Sequence, residues 1–195
     1  MTVALVLDFP GGTMDQYNEV VARMHLDGRL APGGVLHVAG SYTGGLRVID
    51  VWEDMQHFAR FRDEQLGPRT QELNLPAPQV RVLEVDEEKP SSGDVPVLVQ
   101  CVYIPGLDRD AFHAADREIR PGDEMPRGLT FHFNGPYEGG WWVIDGWTSK
   151  DARDAFLQSR IRPVFERTTP TGAPTIEDLD VEATLGIAVP AHSAL

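Results

Sequence analysis

Hydrophobic and polar positions along the chain spell one order of elements, and they spell it twice. Val3 to Phe9 is a nearly continuous apolar run rich in β-formers, which predicts a strand buried on both faces. Pro10-Gly11-Gly12 ends it, and Thr13 followed by Gln16 is a capping box opening a helix. Tyr17, Val20, Val21 and Met24 then fall on one helical stripe. His25 to Gly34 reads as a loop. Val35 to Gly40 and Leu46 to Trp52 read as hairpin strands, with Gly44-Gly45 supplying positive φ at the turn. Asp54 caps a second helix running to about Leu66; Gly67-Pro68 interrupts it before one more helical turn, and Val80 to Val85 closes the half.

The same order returns at an offset of 95. Val97 to Ile104 predicts a strand, Asp108 caps a helix carrying Phe112, Ala115 and Ile119, and Ser149 caps one carrying Ala152 and Phe156. Thr175 to Val181 predicts the last strand. The hairpins carry the repeat most clearly: between His37–Trp52 and His132–Trp147, nine of sixteen positions are identical without a gap. That is an internal duplication, and it predicts two β-α-β-β-α-β halves with a ferredoxin-like order, residues 1–86 and 95–185. Residues 87–94, charged and free of apolar side chains, read as a linker, and 186–195 as a loosely held tail. Two helices cover one face of each sheet, so the other faces are expected to pack sheet to sheet between the halves. Alternation agrees. Leu36, Val38, Ile49 and Val51 make a uniformly apolar face, and His37, Ala39, Val48, Asp50 and Trp52 make the other.

With these elements the chain resembles the dimeric α/β-barrel superfamily, and within it the antibiotic-biosynthesis-monooxygenase-like domains. The likeness lies in the element order and in the hairpin ending Val-Asp-Val-Trp-Glu or Ile-Asp-Gly-Trp before a helix with spaced phenylalanines. It implies an α+β fold, a barrel made of two halves of one chain, and ligands held between sheet and helices. Relatives include cofactor-free oxygenases, haem enzymes and isomerases, so the likeness implies fold more strongly than reaction.

Composition narrows the partners. The formal charge of −13 disfavours nucleic acid and anionic lipid. Cys101 is the single cysteine, which rules out an intramolecular disulfide and a cysteine-based zinc site and fits a reducing, cytoplasmic setting. No run reaches the roughly 20 apolar residues of a membrane span. Basic residues are nearly all arginine, with Lys89 and Lys150 the exceptions, a bacterial-looking bias. His25, His57, His113 and His192 are scattered, and nucleotide-binding glycine motifs are absent, so neither metal nor cofactor is expected. The expected partner is a small hydrophobic or aromatic molecule, with further homo-oligomerisation open.

Candidate chemistry sits on the hairpins. With a two-residue turn at Thr43-Gly44, residues whose numbers sum to 87 face one another, which sets His37 against Asp50 and His132 against Asp145. A turn shifted by one residue on each strand would set His37 against Trp52 and leave all three on one face. A carboxylate beside an imidazole fixes its tautomer and raises its basicity, as a general base requires; the same pair could equally be a buried polar contact satisfying itself. The second copy is the richer. Ala39 becomes Asn134, Leu46-Arg47 becomes Trp141-Trp142, and alternation places Asn134, Trp141, Val143, Asp145 and Trp147 with His132. Tyr103, which replaces Asp8, is expected on that face beside Cys101. The reading is a cofactor-free monooxygenase-like, cyclase or isomerase activity on an aromatic, polyketide-like molecule. His132 and Asp145 serve as base, Asn134 and Tyr137 steady the oxyanion, and Trp141, Trp147 and Tyr103 contact substrate. His37, Asp50 and Trp52 form the weaker, first-half counterpart. The alternative is a non-catalytic ligand-binding or structural protein of the same fold.

Overall fold

The computed structural model describes residues 1–89, 93–123, 125–167 and 172–186. Its strands are β1 (Val3–Pro10), β2 (Gly34–Tyr42), β3 (Gly45–Trp52), β4 (Gln79–Glu84), β5 (Glu87–Lys89), β6 (Leu98–Pro105), β7 (Leu129–Tyr137), β8 (Gly140–Trp147), β9 (Thr175–Asp180) and β10 (Ala183–Leu185). The helices are α1 (Met14–Met24), α2 (Met55–Phe61), α3 (Gly67–Glu72), α4 (Arg109–Ile119), α5 (Lys150–Phe156) and α6 (Arg162–Phe165). The described residues divide into two compact units, one of residues 1–82 with 179–186 and one of those between 83 and 178.

In the first unit the sheet runs β10-β2-β3-β1-β4, and in the second β5-β7-β8-β6-β9. In each sheet the last four strands of that order are the ferredoxin-like arrangement that the hydrophobic pattern predicts. The first strand of each is not. Glu87–Lys89, read as linker from its charge, is β5 and pairs along β7, with Glu87 against Asn134 and Lys89 against His132. Ala183–Leu185, assigned to the second half, is β10 and pairs along β2 in the first unit, Leu185 against His37. A charged segment can form a strand where it is an edge, because edge positions need backbone partners more than apolar burial. Of the expected tail, Gly186 follows β10 and donates its N–H to Gly28; residues 187–195 lie outside those described.

The hairpin register is as the turn predicts: His37 faces Asp50, and His132 faces Asp145. Both hairpins carry an irregularity at the same place, between Gly34 and Leu36 and between Leu129 and Phe131. The turns differ. Glu138 and Gly139 both have positive φ (44° and 76°), the pattern of a type I′ turn, whereas in the first hairpin the positive φ falls on Gly45 (145°) and not on Gly44. Thr13 and Gln16 form the capping box expected of α1. The break at Gly67-Pro68 is a π-helical turn, Arg62–Leu66, joining α2 to α3, and Leu157–Ile161 repeats it before Pro163. A proline removes a helical N–H and crowds the carbonyl four residues back; widening the turn accommodates both.

The core of the first unit lies between sheet and helices: Leu5, Leu7, Phe9, Val48 and Trp52 meet Tyr17 and Phe58. The alternate residues Val38, Ile49 and Val51 are fully buried on the opposite face.

Candidate functional site

Each hairpin presents its histidine and aspartate toward the helices. In the first unit His37 Nδ1 lies 2.6 Å from Asp50 Oδ1, and Nε2 lies 2.7 Å from the Tyr17 hydroxyl of α1. The Tyr17 and His37 rings stack, 5.8 Å apart and 16° from parallel. Asp50 accepts the Nδ1 proton, which leaves Nε2 to accept from the phenol. Burial, and secondarily the Asp50 charge, push the Tyr17 phenol above the ordinary tyrosine range, so it remains protonated. Around this chain lies a cavity of about 50 Å3 walled by side chains such as Leu7, Val20, Leu46 and Val48. Trp52 also lines it, and its buried indole N–H has no partner among the described residues.

The second unit repeats the pair but changes what reaches it. His132 Nδ1 lies 2.6 Å from Asp145 Oδ1. The residue at the Tyr17 position is Phe112, which cannot hydrogen-bond and instead stacks on Trp141, 5.1 Å away. His132 Nε2 is approached by Arg120 Nη2 at 3.1 Å and by Asn134 Nδ2 at 2.9 Å. The Asn134 amide cannot turn over freely, because its Oδ1 accepts from Trp141 Nε1 at 3.1 Å. Arginine offers only donors. Nε2 therefore carries a lone pair, and His132 is a neutral imidazole whose proton sits on Nδ1 and points at Asp145. Arg120 is 5% exposed, held by Asp116 through Nε at 2.8 Å, and its Nη1 has no partner among the described residues. Arg120, Asp116, His132, Asp145 and Gln100 line a cavity of about 180 Å3 whose remaining walls are apolar.

The structure thus brings His132, Asp145 and Asn134 together, and separately His37, Asp50 and Trp52. Other expected contacts fall elsewhere. Trp141 supports Asn134 from behind, and Trp147 packs with Leu98, Leu129 and Phe156. Tyr103 is on the opposite face from His132, since it pairs directly with Trp142 and leaves Gln100, Val102 and Ile104 facing the cavity. Its hydroxyl donates to the Glu138 carbonyl, and Tyr137 meets it edge-on, 5.9 Å away. Tyr137 accordingly sits at the hairpin tip, away from His132. Two residues that the sequence reading passed over complete the sites, Tyr17 and Arg120. The exchange of Tyr17 for Phe112 at the repeat offset was a visible signal for the first; Arg120 had only its place one residue beyond the apolar stripe of α4.

Asp54 accepts from the backbone and ring of His57, and His113 pairs with Asp86. Among the described residues no group of three or more His, Cys, Asp or Glu could hold a metal, and His192 lies outside them. No helix among those residues is long and apolar enough to cross a membrane.

No family model matches the sequence, and no curated protein matches it. Solved structures do. A provisionally assigned monooxygenase from Lactobacillus acidophilus superposes with a TM-score of 0.71 at 14% identity, covering 96% of this chain and 97% of its own. One from Fusobacterium nucleatum gives 0.71 at 11% identity, covering 94% of each. A ferredoxin-fold protein related to antibiotic biosynthesis monooxygenases, from Listeria monocytogenes, gives 0.52 at 10% identity, over 94% of this chain and 95% of that one. The fold is therefore that of the monooxygenase-like ferredoxin-fold proteins, and at these identities the likeness is one of fold.

Proposed function

We propose that the chain is a monooxygenase-like enzyme whose working cavity is the one beneath His132 and Arg120. One observation carries this reading: Arg120, a buried guanidinium whose Nη1 has no partner among the described residues, lines a largely apolar cavity together with His132 and Asp145. A void of roughly 150 Å3 holds one benzene ring, so about 180 Å3 suits a single substituted ring better than a polyketide-sized polycycle. Asp116 and Asp145 outnumber Arg120 on the lining, which favours a ligand that enters neutral, such as a phenol or hydroquinone, over a preformed anion. The ring oxygen accepts from Arg120 Nη1. As Arg120 Nη2 and Asn134 Nδ2 turn to it, Nε2 of His132 is released to take the phenolic proton, with Asp145 balancing the imidazolium. The resulting electron-rich anion is the form that reacts with oxygen directly. Oxygen consumption with hydroquinone tests this: His132→Ala is expected to fall about 100-fold below wild type. Equal rates, or none from either protein, overturn it.

A second reading has its own support, since both Nε2 contacts of His132 are filled in the resting protein. It is a binding module that holds the same ring without turnover. Hydroquinone would then raise the melting temperature of wild type and of Asp145→Asn alike, with no oxygen consumed.

A further inference from the structure

The first unit holds a different arrangement, independent of the reading above. We propose that its cavity is a proton-transfer site for a small neutral acid, in which Tyr17 touches the ligand and His37 stores the proton. The Tyr17 hydroxyl gives its hydrogen to His37 Nε2 at 2.7 Å, so its oxygen lone pairs remain to accept another. When a ligand X–H bond breaks, its proton goes to the Tyr17 oxygen. The proton that Tyr17 held passes to Nε2, and the imidazolium is paired with Asp50 through Nδ1 at 2.6 Å. The electron pair stays on the ligand as an anion, and Trp52, whose indole N–H has no partner among the described residues, lines the same cavity. Tyr17 is a phenol before and after. A buried phenol that resists ionisation can thus still accept a proton, because the charge appears on the imidazole.

The pair His–Asp occurs in both units, so it does not by itself distinguish a site. Tyr17 does: its counterpart is Phe112, and the corresponding imidazole nitrogen in the second unit is met by Arg120 and Asn134 instead. The titratable groups facing His37 are Tyr17 from α1 and Asp50 from β3, while β10 sets Leu185 beside it. The space of about 50 Å3 is a third of a benzene-sized void, which restricts the ligand to a few heavy atoms.

Nitromethane, a four-heavy-atom carbon acid, is the probe. Its hydrogen–deuterium exchange in D2O is followed by NMR with the full-length protein, against matched free histidine and tyrosine. Wild type is expected to accelerate exchange saturably. Tyr17→Phe, which keeps the ring and removes only the hydroxyl, is expected to lose at least about tenfold of that rate. Asp50→Asn is expected to lower the rate while leaving half-saturation unchanged. No acceleration by wild type, equal exchange by Tyr17→Phe, or a pH profile that rises only in the phenol range overturns the proposal.

Discussion

An imidazole held by a carboxylate has its character decided by whatever meets its second nitrogen. In the first unit that is a phenol; in the second it is a guanidinium and an amide. The register that sets histidine against aspartate was legible, because a two-residue turn and a period of two leave little freedom. Tyr17 and Arg120 were not, since a helix's rotation about its own axis over a sheet follows from packing rather than from spacing. Both residues yield tests. The buried Arg120 pairs with the partly buried Asp116, so Arg120→Met should destabilise the protein by about 3 kcal/mol, the cost of leaving a largely desolvated charge unpaired. Adding Asp116→Asn should restore part of it, a coupling that urea melts of the four proteins would measure. Tyr17 gives a pH dependence. Its folded-state ionisation is shifted upward, so the stabilisation it contributes is complete below about pH 10, where unfolded tyrosine begins to ionise, and is lost above it. Melting temperatures at pH 8 and pH 11 should therefore differ more for wild type than for Tyr17→Phe.

At the scale of elements, the two units share their irregularities as closely as their regular parts: hairpin bulges, π-helical turns, and a glycine under the chain where it leads into each added strand. A Cβ at Gly40 would collide with the carbonyl oxygen of Asp180, and one at Gly135 with that of Glu84. Glycine is required there because backbone passes directly over it as the chain moves from β9 to β10 and from β4 to β5. Gly40→Ala and Gly135→Ala should each destabilise by about 2–4 kcal/mol and should speed amide exchange in β10 and β5 respectively. The main strands and the helix caps were readable from the chain because each has a local cause. The added strands escaped because three residues are too few to carry a periodic signal, and their partner is chosen by an edge elsewhere in the sequence.

At the scale of the molecule, the boundary seen in the sequence and the boundary seen in space do not coincide. The repeat divides the chain near residues 87–94, whereas the first compact unit takes in residues 179–186 as well. Its sheet has β10 on its outer edge, hydrogen-bonded to the strand that carries His37. This bears on how the protein is made. A ribosome releases β2 early, with its outer edge unpaired, and the strand that covers it is among the last described segments to emerge. Throughout that interval the growing chain presents an open β-edge beside His37, and the first sheet gains its fifth strand only after the intervening second unit has been made.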